Sequence, residues 1–217
     1  MRFFHYLYHQ HASAARGERL LYRMIYRCRP RQLVQVGLGD GSRVMRMLKF
    51  ATRHAPPTGL AFAGIDLFEA RPSSQPGMSY REAHHQIGDL VDQLSLVPGD
   101  PYTALARAAN RLMQTDMLVI SAGHDPASLK HSWVYVPRML HENSVVLMEQ
   151  SGPEGPSFRQ MDTAEIVHLA ADVSVPNKRA ACSGHAFQIF SRSSLSPSAL
   201  RVSTISGACS LTSAQSY

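Results

Sequence analysis

Three glycines spaced two apart, Gly37, Gly39 and Gly41, follow an apolar run directly in LVQVGLGDGSR and lead into a helical pattern. Glycine accepts the tight turn between strand and helix and lets the backbone approach a ligand with no side chain between them. The exposed N–H groups at the start of the next helix, at the positive end of its dipole, then favour a negatively charged or polar ligand group. Asp66 ends the following apolar run, LAFAGIDL, where a carboxylate accepts hydrogen bonds from a ribose diol. The spacing separates ligand classes: the last glycine of a GxGxxG dinucleotide fingerprint is replaced by Ser42. The pattern is therefore GxGxG, which counts against NAD and FAD. Asp100, in PGDP, closes a third run, where it meets an adenine edge or serves as a turn or cap residue.

A second group of candidates lies in SAGHDP. His124 sits just beyond the fourth apolar run, on the side where open α/β sheets bind ligands, and an imidazole titrates close to working pH. It is the first candidate for a general base, against the alternative of a turn residue that caps the next helix or faces solvent. Asp125 is the second, against a helix cap before Pro126. His84 and His85 are neighbours on a helical pattern, so at most one of them faces an acceptor. Trp133 and Tyr135 are expected to pack on the sheet. Glu149, at the end of the fifth run, either binds the acceptor or terminates the strand.

The elements that must position these residues alternate. Helical spacing over 15–28, stopped by Pro30, precedes a strand at 33–36 and a helix after the glycine turn. A second strand is expected at 60–67, and a loop at 69–79 has the length of a segment that covers a binding site. Then come a helix over 80–94, a strand at 94–97, a helix over 103–113 and a strand at 116–120. A helix over 127–140, a strand at 144–148, a segment near 166–169 and a last strand at 185–190 (HAFQIF) complete the order. Such alternation predicts an α/β, Rossmann-like domain with a mainly parallel sheet. It occupies 1–192, and the Ser/Thr-rich residues 193–217 are expected to be a disordered tail.

At 217 residues, a chain buries roughly 70 % of the surface it exposes unfolded, enough for one core without staples. Hydrophobic residues make up 44 % and charged residues 18 %, the balance of an ordinary globular protein. The net charge of +6 fits a basic surface: the arginines between Arg16 and Arg31 have no aromatic-interleaved nucleic-acid motif beside them, so nucleic-acid binding is not expected. Cys28, Cys182 and Cys209 show neither disulfide nor metal-ligand spacing, as expected of thiols in a reducing compartment. No apolar stretch approaches the length of a membrane span, and a cytoplasmic location is expected.

Over residues 31–150 the sequence resembles the class I SAM-dependent methyltransferases, and among them the macrocin-type and other small-molecule O-methyltransferases. The resemblance is carried by VQVGLGDGS, GIDLFE, LVPGDP, DMLVISAGHDPASLKHSWVYVPRML and SVVLMEQ. It implies a seven-stranded sheet with helices on both faces and S-adenosyl-L-methionine (SAM) across the carboxyl ends of the first strands. Gly37, Gly39, Gly41, Asp66, Asp100 and Ser121 would line the cofactor, and His124 and Asp125 the reacting centre. The chain departs from the family at Gln35, Ser121 and Gly123, where acids are usual. With Ser121 and Gly123 in place of carboxylates, no metal site is expected. The expected activity is metal-independent methyl transfer to a small molecule, with a homodimer as the candidate assembly and no membrane partner. The alternative is a catalytically inactive SAM-fold binding or regulatory protein.

Overall fold

Short apolar runs that read continuously make strands buried on both faces, and the sheet is built on them. The computed structural model describes residues 16–152 and 155–174, within a compact unit spanning Met1–Lys178; a second unit, Arg179–Tyr217, lies outside the described residues. The expected strand at 185–190 and tail at 193–217 fall in that second unit. Strands β1 (Gln32–Val36), β2 (Ala61–Asp66), β3 (Gln93–Pro98), β4 (Thr115–Ile120), β5 (Leu140–Gly152) and β6 (Gly155–Met161) form a sheet in the order β3-β2-β1-β4-β5-β6. The first five are parallel and β6 runs antiparallel to β5. Among the described residues the sheet thus has six strands.

Alternate residues along each strand feed two cores. Leu33, Phe62, Met117 and Leu147 face helices α1 (Arg19–Cys28), α2 (Ser42–His54) and α3 (Tyr80–Gly88). Val34, Ile65, Leu118 and Val146 face the other layer, made by α4 (Pro101–Ala108), α5 (Pro126–Ser132), α6 (Val136–Met139) and α7 (Thr163–Ser174). Helices therefore cover both faces, and Trp133 is buried in the second core as expected. No helix among the described residues is long and apolar enough to cross a membrane.

Several boundaries differ from the sequence reading. The helix expected over 80–94 stops at Gly88, because the Leu60 amide donates to Asp92 Oδ2 and the Asp92 amide to the Leu60 carbonyl, turning the chain into β3. The helix expected over 127–140 is split in two; Pro137 has no N–H for a continuous ladder and instead opens α6. The strand expected at 144–148 runs from Leu140 to Gly152 and doubles back as β6, which carries too few apolar residues to announce itself.

At the amino ends of the strands, Asp116 Oδ2 accepts from the Arg31 and Gln32 amides at 2.8 Å each, and Oδ1 faces His141 Nε2 at 3.2 Å. Asp116→Ala removes both hydrogen bonds, one from an exposed and one from a part-buried amide, and is expected to cost about 1 kcal/mol in urea denaturation.

Candidate functional site

Strand order reverses between β1 and β4, and at such a switch point the diverging connections leave a crevice beyond the carboxyl ends of the strands. A cleft of about 670 Å³ opens there. Its walls come from the glycine turn (Gly37, Gly39), the end of β2 (Ile65, Asp66), the turn into α4 (Gly99, Asp100) and the loop after β4 (Ser121 to Asp125). Arg43 of α2 and Arg71, Gln75 and Pro76 of the loop expected to cover the site complete the lining.

The turn is bound to its neighbours on both sides. The Gly37 amide donates to the Ile65 carbonyl at 2.8 Å, and the Ser121 amide to the Val36 carbonyl at 2.9 Å. Ser121 Oγ donates to the Gly37 carbonyl at 2.8 Å, and Gln35 Nε2 donates to the same oxygen at 2.9 Å. Asp66 Oδ2 accepts from the Leu38 amide at 2.6 Å and the Gly39 amide at 3.2 Å. Gly37 has φ +85, and a Cβ there would lie 2.7 Å from His124 Nε2 and 3.0 Å from the Ser121 Cβ. Gly39 has φ +61 and nothing within 4 Å of a notional Cβ; its bare face is open space in the cleft wall. Gly41 is different. It begins α2 with φ +77, buried behind the turn against Met78, and does not reach the cleft. The first α2 amide, that of Ser42, is taken by Asp40 Oδ1 at 3.1 Å, so the helix N-terminus is partly occupied by its own loop.

The acidic candidates are more committed than their positions suggested. Asp100 caps α4: Oδ1 accepts from the Tyr102 amide at 3.1 Å, the Thr103 amide at 3.3 Å and Ser128 Oγ, and Oδ2 from Thr103 Oγ1. Burial pushes its carboxyl up, but these hydrogen bonds, those from Ser128 and Thr103 foremost, outweigh burial and hold it at about 2. Asp125 caps α5 by accepting the Ser128 amide at 2.7 Å. His124 lines the cleft, yet its Nε2 is buried against Gly37 with no hydrogen-bond partner. His84 and His85 lie on the exposed side of α3, His84 stacked on Tyr80 at 6.4 Å, and neither lines the cleft.

Two arginines that the sequence reading did not single out belong to the site. Arg43 forks onto both oxygens of Glu149 and also donates to Ser121 Oγ at 3.1 Å, with its guanidinium 5.3 Å from the centre of the Phe158 ring. Glu149 takes the Ala122 amide as well, at 2.8 Å. Burial raises its carboxyl, but Arg43 and that amide bring it below the usual range. Glu149 therefore ties β5 to the glycine-turn helix and does not line the cleft. Arg71 is paired to Asp66. An arginine just inside a helix or in a polar loop normally reads as solvated; what distinguishes these two is a partner that only the fold brings near.

Because the Asp100 carboxyl falls from 3.8 to about 2 on folding, its stabilisation is present above the higher value and is lost as pH drops through the lower. Asp100→Asn should flatten the dependence of stability on pH across that window, as read by thermal melts in acid.

No model of a known protein family matches the chain, and no curated protein matches it in sequence. Solved structures of similar shape include the O-methyltransferase TomG from Streptomyces achromogenes in complex with SAM. The two share 12% identity over 75% of this chain and 67% of that one, with a TM-score of 0.46. Cofactor-bound Rv0187 from MTB shows 14% identity over 80% of this chain and 75% of that one, at a TM-score of 0.43. PKMT2 from Rickettsia typhi in complex with AdoHcy shows 14% identity over 56% of this chain, at 0.40; the alignment spans only 21% of that longer protein. These are likenesses of shape alone.

Proposed function

We propose that the cleft binds SAM and that the chain transfers its methyl group to a small-molecule acceptor. The observation that supports this best is the pairing, in one wall, of the open-faced Gly39 with the Asp66 carboxylate at the end of β2. A bare glycine lets an adenosyl ligand lie against backbone, and a carboxylate beside it suits the ribose diol. The room also fits, since about 670 Å³ lies within the range of pockets for compact cofactors. The charged lining residues are Arg43, Arg71, Asp66, Asp100 and Asp125, with an excess of carboxylates that favours a cationic ligand.

When bound, SAM supplies a methyl group already activated on a sulfonium. The protein's work is alignment and exclusion of water. Gly39 and Asp66 would hold the adenosyl group, with the methyl carbon open to an acceptor's lone pair and sulfur as the leaving atom that keeps the electron pair of the broken bond. An acceptor hydroxyl also loses its proton, which we assign to His124, the histidine that lines the cleft beyond β4. Asp125 stands beside it as a helix cap and is assigned no proton. Ser121 and Gly123, at the end of β4, offer no carboxylates for a cation, and the proposed reaction is metal-independent.

A second reading, SAM binding without turnover, is favoured by the burial of His124 Nε2 against Gly37. Calorimetric titration with SAM, S-adenosylhomocysteine (SAH) and NAD tests the site. Wild type is expected to bind the two adenosyl compounds and not NAD, and both Asp66→Ala and Gly39→Val to lose that binding while remaining folded. His124→Ala is expected to keep SAH affinity but to slow methyl transfer by about 10²-fold or more. Binding with no turnover by wild type across a broad panel of acceptors would establish the second reading instead.

A further inference from the structure

An ionised carboxylate offers about four acceptor sites, and all those of Asp66 are engaged. Oδ2 takes the Leu38 and Gly39 amides; Oδ1 takes the Phe68 amide at 3.3 Å and Arg71 Nη2. The pair is well shielded, with side chains 10% exposed for Arg71 and 6% for Asp66. A ribose diol that binds this carboxylate must therefore take a place already held.

Three of the four donors are backbone amides in fixed structure. Leu38 and Gly39 belong to the turn pinned to β2, and Phe68 is held at φ +50 with its ring buried and edge-on to Tyr80 at 5.3 Å. A left-handed φ is unusual for a bulky residue, and here it bends the chain back so that Arg71 returns over Asp66. The fourth donor can leave without disturbing the fold. Arg71 starts a segment whose residues 72–77 are all exposed, and its guanidinium lies against the bare face of Gly77. At the far end the Met78 amide donates to the Gly39 carbonyl at 2.9 Å, and the Tyr80 amide to Glu69 Oε1 at 2.8 Å. The strap is thus anchored at its base by backbone and closed over the cleft by one side chain.

We propose that Arg71 gates the cofactor: the ribose diol and the guanidinium compete for Asp66, and entry of the first releases the strap 71–77. The proposal rests on the adenosyl reading of the cleft. By reciprocity, cofactor binding and closure of the strap oppose each other, each weakening the other by the same factor.

The test is SAH titration of full-length wild type, Arg71→Met and Arg71→Lys, with hydrogen exchange over 71–77 followed with and without SAH. Arg71→Met is expected to bind SAH about 5-fold or more tightly than wild type, and Arg71→Lys, which keeps a cation for Asp66, to fall between. Exchange over 71–77 should be faster in SAH-bound than in free wild type, and already fast in free Arg71→Met. Equal or weaker SAH binding by Arg71→Met, or slower exchange in bound wild type, overturns the gate while leaving the adenosyl reading intact. Absence of SAH binding by all three proteins overturns both.

Discussion

The architecture of the cleft depends on one short stretch of backbone, the turn at Gly37 to Gly39, being held from both sides at once. On one side β2 supplies the Ile65 carbonyl and the Asp66 carboxylate; on the other, the end of β4 supplies Ser121 and lays the His124 ring against Gly37. The second clamp leaves no space for a side chain at Gly37, and together the two fix where Gly39 turns its bare face. Every other wall of the cleft is positioned relative to that face. The Gly99 amide donates to the Asp66 carbonyl at 2.9 Å, which sets the turn into α4, and Asp100 is linked across to α5 through Ser128.

Much of this was legible in the sequence because the signals were local. Gly37 and Gly39 announce a left-handed turn by residue type alone, and Asp66 lies at the end of the next strand at the spacing a ribose site needs. The parallel sheet followed from the alternation of short apolar runs with helical patterns. The helix caps at Asp100 and Asp125 come from short-range rules. The illegible parts depend on distant partners. Nothing near Arg43 marks it as the mate of Glu149, 106 residues away, and nothing in EARPSSQPG marks Arg71 as bound and not solvated. Gly41 carries the same residue type and spacing as its neighbours but serves a different purpose, making room for Met78. Strand β6 was hidden because its register is imposed by β5 and owes little to its own pattern.

A second theme is the pairing of charge around the cleft. Each lining arginine is matched to a carboxylate, Arg43 to Glu149 and Arg71 to Asp66, which leaves Asp100 and Asp125 as the lining charges with no paired cation among the described residues. A buried pair gains little stability over an apolar one, because desolvation offsets the attraction. Its value here is geometric: the Arg43 fork joins the start of α2 to β5, and Glu149 adds the Ala122 amide. Three segments far apart in sequence are thereby joined at one point.

The sequence distance spanned by these joints bears on how the molecule comes into being. Ser121 and Gly37 are 84 residues apart, and Arg43 and Glu149 are 106 apart. Closing loops of that length costs chain entropy before any contact repays it. During synthesis the glycine turn emerges before its second clamp, which does not exist until β4 has been made, and Arg43 has no carboxylate partner until the ribosome has passed Glu149. The segment from β1 to β3 can pair strand by strand as it appears, while the cleft waits for the far half of the sheet. A nascent or truncated chain that ends before β5 would thus carry the sequence signature of the cleft without its geometry.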